Sequence, residues 1–568
     1  MNRFIILILI LLLWGCASMQ PPGGGPEDKE PPTVIWSVPT KDSVRVPRKV
    51  DILVAFSETM NHESVESSVY LSPYPEGEIK FSWKKNVLRI EIGDSLEYDK
   101  TFVVTLGTDG KDNHGNPLQQ AYSFAFSTGD SIDRGSISGR VVADNTKGIS
   151  IWSYRLDGAV NGDSLIYTKR ADYITQVGAG GKYQLSYLSP GKYRIYAVAD
   201  LDADYRYTPS SDFIGLTFKD VTLKSSKLAS ADMDFMIFQE DTAAFRLESV
   251  AAVDHRLLVA VFSKSLLPVI YFENTANAVP LISHFKMVDS LTGEEIPIRD
   301  VYLNPANLRE IRILSEPTKA QTRYTLFVSD LRSQNGERLS SDSMAFDGVS
   351  DSSSVKIDIE MVKPYVKDGY LLQNEALEFR FSAGIMRNSF ERFFQMLDSN
   401  GQKITGNFSW TNSAQVEFRP HKLLASQMDY KITIPSDSLL DAHGRSVGDT
   451  TVKYFLRSFK SDSLGFVSGM VMDDDELKTG PYYISCRSLN RNLRDHAVRV
   501  ETSGAFALNY LIPGKYSVVA FRDDDSNGVF SYGRVSPVTF SEKFTSYADT
   551  VTVRPNWETS NVILRFRK

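Results

Sequence analysis

Self-similarity constrains this chain most. Past residue 31, two kinds of unit recur at a spacing near 100 residues, and a repeat of that length marks one small sandwich per copy. The first kind, type A, has three copies. Each opens with a strand ending in Phe-Ser, at Phe56-Ser57, Phe262-Ser263 and Phe381-Ser382. An aromatic-led strand follows near Phe102, Tyr324 and Tyr430, and then a turn, Asp112 to Gly115, Ser333 to Gly336 and Asp441 to Gly444. Asp or Ser at the head of such a turn caps it with a side-chain hydrogen bond, and Gly takes the positive φ. A last strand carries Tyr122, Phe124 and Phe126, Met344 and Phe346, or Tyr454 and Phe455.

Type B has two copies. Tyr187 to Tyr193, with Pro190-Gly191-Lys192, aligns with Tyr510 to Tyr516, with Pro513-Gly514-Lys515, and Gly135 to Gly139 aligns with Gly465 to Gly469. Pro-Gly-Lys reads as a turn in which Pro sets one φ and Gly frees the next. The order is A-B-A-A-B. Apolar residues alternate at Ile52, Val54 and Phe56 and at Leu377, Phe379 and Phe381, the period of a half-buried strand. The expected class is therefore all-β, with tandem Ig-like and prealbumin-like sandwiches forming a multi-domain rod. The expected divisions are 31–130, 131–240, 241–352, 353–460 and 461–568.

The first thirty residues read differently. Arg3 precedes an unbroken apolar run from Phe4 to Trp14, too short to span a bilayer and of the length of a signal-peptide core. It ends in Leu13-Trp14-Gly15-Cys16. That ending resembles the bacterial lipobox, which implies removal of residues 1–15 and diacylation of Cys16. Two acyl chains hold a membrane stably where one does not. Ala17 follows the cysteine with no acid beside it, which by resemblance to lipoprotein sorting implies the cell outer membrane, facing either the periplasm or the surface. Residues 16–30 form a Pro- and Gly-rich tether.

The type A units resemble the bacterial Ig-like domains of S-layer proteins, on Pro31-Pro32-Thr33, Pro39, the strand through Phe56-Ser57-Glu58, and Tyr70-Leu71-Ser72-Pro73. The copy at 241–352 is degenerate. Type B resembles prealbumin-like or carboxypeptidase-regulatory-like sandwiches. Behind a lipobox and tether, the combination resembles envelope lipoproteins of Bacteroidota. Such families imply modular extracytoplasmic scaffolds.

Composition narrows the chemistry. Hydrophobic residues make up 42% and charged residues 23%, enough to build several cores. A net charge of −7 argues against a nucleic-acid partner, whose binders carry a basic face. Beyond Cys16 the sequence holds one cysteine, Cys486, so no disulfide forms within the mature chain. Its seven histidines are scattered and build no metal-hydrolase motif. His114 and His443 share a turn position that Asn335 fills in the second copy, so turn geometry accounts for them. No nucleophile elbow or phosphate loop occurs, and no catalytic residue is assigned. One site signal stands out. Asp523, Asp525 and Asn527, followed by Gly528, form the first half of a calcium loop, and Asp200, Asp202 and Asp204 align with them. Position twelve is Arg534 in one loop and Ser211 in the other, where an EF-hand has a bidentate Glu. Solvated acidic turns are the other reading.

The expected function is a non-enzymatic, lipid-anchored envelope scaffold with a possible Ca²⁺ cofactor and an envelope protein or glycan as partner. A carbohydrate- or protein-binding surface adhesin and a hydrolase with an inter-domain carboxylate site remain as alternatives.

Overall fold

The computed structural model describes residues 28–75, 77–143, 145–158, 162–266, 280–304, 307–334, 336–351, 357–363, 370–441, 444–475, 480–490 and 495–567. The leader 1–15, Cys16, most of the tether and His443 lie outside the described residues. Among the described residues ten sheets fall into five facing pairs, each pair from one stretch of chain.

In the first pair the strands are β1 (Val34–Val38), β2 (Ile52–Phe56), β3 (Val69–Ser72), β4 (Ile79–Lys84), β5 (Val87–Ile92), β6 (Thr101–Leu106) and β7 (Tyr122–Ser127). They pair as β1-β2-β5-β4 and β3-β6-β7, the strand order of a constant-type immunoglobulin sandwich. Period-two residues make its core: Ile52, Val54 and Phe56 on β2 are sealed from solvent, as are Phe124 and Phe126 on β7. A short helix, α1 (His62–Glu66), joins β2 to β3, and Asn61 caps it by accepting from the Ser64 N–H. Residues 247–347 and 359–458 repeat this order with one strand added to the second sheet, Glu295–Ile296 or Tyr370–Leu371, and each has its own core. Leu377, Phe379 and Phe381 are buried there as their alternation predicts.

The type B stretches build a different sandwich. Gly135–Val142 pairs antiparallel with Lys182–Leu188 and parallel with Ala229–Ser230; Gly465–Asp473 pairs antiparallel with Gly504–Leu511 and parallel with Glu558–Phe566. The Pro-Gly-Lys turn departs from expectation. The residues with positive φ are Tyr187 (64°) and Tyr510 (61°), not the glycines. A Cβ at Gly191 would lie 2.5 Å from Asp157 Oδ2, the end of an exposed side chain that can move aside. Cys486 lies in the core of the last sandwich, where burial pushes its thiol up to about 12.

The sandwiches are not strung out as a simple rod. The first packs on the second through Tyr70, which shares a buried cluster with Trp152, Tyr196 and Val535. Val535 belongs to the fifth. A long loop of the fifth sandwich crosses back to the second: Tyr532 packs 5.0 Å from Phe238, Val538 N–H donates to Asp163 Oδ2 at 3.0 Å, and Ser541 Oγ donates to the Leu216 carbonyl at 3.0 Å. Val529 of the same loop packs on the third sandwich. Repeat order dictates connectivity but not which outer faces bury each other. Among the described residues no helix is long and apolar enough to cross a membrane.

Candidate metal centres

The loop that leaves strand Gly514–Arg522 carries Asp523, Asp525 and Asn527 where alternate residues share a face. Ser526 (φ 59°) and Gly528 (φ 74°) bend it tightly. Asp523 is 1% exposed; its Oδ1 accepts from Asn527 N–H and its Oδ2 from Gly528 N–H, both at 2.9 Å. Asp525 Oδ2 accepts from Asn527 Nδ2 at 2.9 Å and from Ser531 Oγ at 2.8 Å.

The third acid comes from outside the motif. Glu542, 6% exposed, stands just before strand Phe544–Ser546 and accepts from the N–H groups of Asp524 and Ser531 at 2.8 and 3.0 Å. One carboxylate oxygen each from Asp523, Asp525 and Glu542 lies within 4.8 Å of the others. Ca²⁺ binds oxygens at 2.3–2.6 Å, so oxygens on opposite sides of one ion are separated by up to about twice that. Glu542 thus stands where it could supply the acid that an EF-hand has at position twelve, a position the sequence fills with Arg534. At loop position nine Ser531 places its hydroxyl against Asp525, while Asn527 at position five turns its Nδ2 toward Asp525 and Ser531 and accepts from Val529 N–H on its Oδ1 at 2.8 Å. Burial pushes the Glu542 carboxyl up to about 8, helped by the charges of Asp525 and Asp523. Burial also raises Asp523. The neighbouring guanidinium of Arg522 is committed elsewhere, to Asp473, Asp475 and Asp524.

The second loop also draws three carboxylates together, all three from the loop itself. Carboxylate oxygens of Asp200, Asp202 and Asp204 lie within 4.8 Å of one another. Asp200 Oδ2 accepts from Tyr205 N–H at 3.0 Å, while its Oδ1 is buried with no hydrogen-bond partner. Burial pushes Asp200 up to about 6, and Asp212 and Asp202 add to it. Strand registers make Asp212 the counterpart of Glu542: Val198 pairs with Ile214 as Phe521 pairs with Phe544. Asp212 is wholly buried and accepts from Leu201 and Thr208 N–H groups. The sequence reading missed both Glu542 and Asp212 because it counted a fixed offset. Aligning the strand that follows each loop would have found them.

Residues 28–128 match the family model of the bacterial Ig-like domain. No curated protein matches this sequence. Among solved structures, the chain is similar to the N-terminal part of the bacterial S-layer protein SbsC, at 13% identity and a TM-score of 0.16, over 38% of this chain and 44% of that one. It is similar to L,D-transpeptidase 3 from Mycobacterium tuberculosis at 9% identity and a TM-score of 0.13, over 25% and 46%. The native conformation of E. coli alpha-2-macroglobulin is similar over 88% of this chain and 42% of its own, at 10% identity and a TM-score of 0.15. The chain spans less than half the length of each of these three. Its first sandwich is a bacterial Ig-like domain, at the head of an all-β chain of several sandwiches.

Proposed function

We propose that this protein is a non-catalytic scaffold of the cell envelope, lipid-anchored at Cys16 to the outer membrane, with calcium bracing the Asp523 loop. The observation that carries the scaffold reading is the shared packing of the first, second and fifth sandwiches, with Tyr70, Trp152 and Val535 in one buried cluster. A chain folded back on itself in this way presents fixed outer surfaces, which suits holding or presenting a partner.

The anchor is tested directly. Cys16→Ala should abolish incorporation of labelled fatty acid and move the protein from the membrane to the soluble fraction. Retention of the variant on membranes after a salt wash would mean that lipid is not the anchor. Protease shaving of intact cells decides between the surface and the periplasm.

A second reading, binding of a glycan or protein, rests on a cleft of about 780 Å³ where the first, second and fifth sandwiches meet. Ser138, Arg140, Gln184, Ser546, Arg565 and Arg567 line it. Hydroxyl, amide and guanidinium groups are suited to sugar hydroxyls or anionic sugars. Arg140→Ala should then reduce glycan-array or pull-down signal. Equal signal from the wild type and the variant would leave the cleft as a packing gap.

A further inference from the structure

The three type A sandwiches share one turn, and it is built alike in each. Met60 bridges to Asp112, Leu266 to Ser333 and Ile385 to Asp441. The head of each turn donates its N–H to the carbonyl of the residue four on and accepts that residue's N–H on its own side-chain oxygen: Asp112 with Asn116, Ser333 with Glu337 and Asp441 with Arg445. The residue two before the bridge is Glu58, Lys264 or Ala383. These positions, with the segment that enters each sandwich, surround the same spot.

In two of the three copies a side-chain cation fills that spot. Lys264 Nζ lies 2.7 Å from Glu337 Oε1 and 2.6 Å from the carbonyl oxygen of Asp241 on the entering segment. Arg445 reaches it from the other position, 2.8 Å from Asp441 Oδ2 and 2.7 Å from Asp351 Oδ1, again on the entering segment. The first sandwich holds Glu58 and Asn116 at those two positions. There Asp28 of the entering segment, Glu58, Asp112 and His114 each offer a ligand atom, all within 4.8 Å. Burial pushes the Glu58 carboxyl up, and the charges of Asp112 and Asp28 push it further. Asn116 Nδ2 ties the group together by donating to Asp112 Oδ2 and to the Asp28 carbonyl. Three acids stand where the sister copies place an internal cation against an acid.

We propose that this turn, closed by Asp28, Glu58 and Asp112, holds a calcium ion in the place that the sister sandwiches give to Lys264 and Arg445. Three carboxylates form a hard oxygen set, the kind calcium takes, and the cations of the sister turns are likewise held by oxygens. His114 stands at the rim, its Nδ1 3.4 Å from Asp28 Oδ2. The Asp28 segment is the last of the tether before β1, so the ion would fasten the tether to the first sandwich. This site is separate from the Asp523 loop and does not depend on it.

Equilibrium dialysis of the full-length protein against radioactive calcium tests the assignment. Glu58→Gln and Glu58→Lys should each bind one equivalent fewer than the wild type. Asp525→Ala should remove a different equivalent, so the two losses add in the double variant. Glu58→Lys places an ammonium where Lys264 has one. In chelator its β2 amides should therefore exchange no faster than those of the wild type. Unchanged calcium uptake in both Glu58 variants would overturn the proposal. So would faster β2 exchange in Glu58→Lys, because the spot would then not accept a cation. Zinc uptake that depends on His114 without calcium uptake would overturn the assignment to calcium.

Discussion

Glu542→Gln should make the fifth sandwich insensitive to pH between about 5 and 8 in the presence of a chelator, while the wild type loses stability over that range. Burial raises the folded-state carboxyl of Glu542 from 4.5 to about 8. A folded state that binds its proton more tightly than the unfolded chain is favoured while that proton is present. The contribution is complete below about pH 4.5 and is lost as pH rises through about 8. Its slope is at most about 1.4 kcal/mol per pH unit. Calcium reverses the preference, since it binds the carboxylate and displaces the proton. Calcium affinity should therefore climb with pH up to about 8. A hundredfold excess over Kd adds about 2.7 kcal/mol, and extracellular calcium modules bind at about 10⁻⁴–10⁻³ M. Hydrogen exchange in strand Gly514–Arg522 of the intact chain reports on this sandwich without assuming that all five melt together. Calcium should slow that exchange in the wild type and have little effect in Glu542→Gln or Asp525→Ala. Matching pH profiles for the wild type and Glu542→Gln would rule out Glu542 as the titrating ligand.

Arg522→Ala should destabilise the same sandwich by about 3–5 kcal/mol, because it strands a buried carboxylate. The Arg522 side chain is 8% exposed and that of Asp473 is 0%. Arg522 Nη1 donates to Asp473 Oδ2 at 3.1 Å and Nε donates to Asp524 Oδ1 at 2.6 Å; Tyr482 Oη also donates to Asp473 Oδ2, at 2.7 Å. The repeat supplies its own control. Counting from the aligned glycines Gly135 and Gly465, and Gly191 and Gly514, the second sandwich has Ala143 and Ala199 where the fifth has Asp473 and Arg522. Removing both charges, as Asp473→Ala with Arg522→Ala, should recover a large part of the loss. Denaturant unfolding followed by exchange at Tyr482–Ser488 checks it. A double variant no more stable than Arg522→Ala would mean that lost packing of the arginine stem, and not the stranded charge, sets the cost.

The sequence by itself determined the class of fold and the content of each core. Alternating Ile52, Val54 and Phe56 can bury together only on one face of a strand. The turns were legible for the same local reason: Asp112 and Asp441 accept from the N–H groups of Asn116 and Arg445, and Gly115 and Gly444 take positive φ. Half of the Asp523 site was legible as well, because alternate residues of one tight turn meet by local geometry. Only tertiary structure brought in Glu542, 19 residues beyond Asp523 in sequence, since strand pairing and not loop length places it. Tertiary structure also decided that Val535 and Tyr532 pack against the second sandwich. Hydrophobic burial is non-directional and carries no sequence-local signal of partner. A repeat pattern therefore shows which residues seek cover, and the folded chain alone shows which surface covers them.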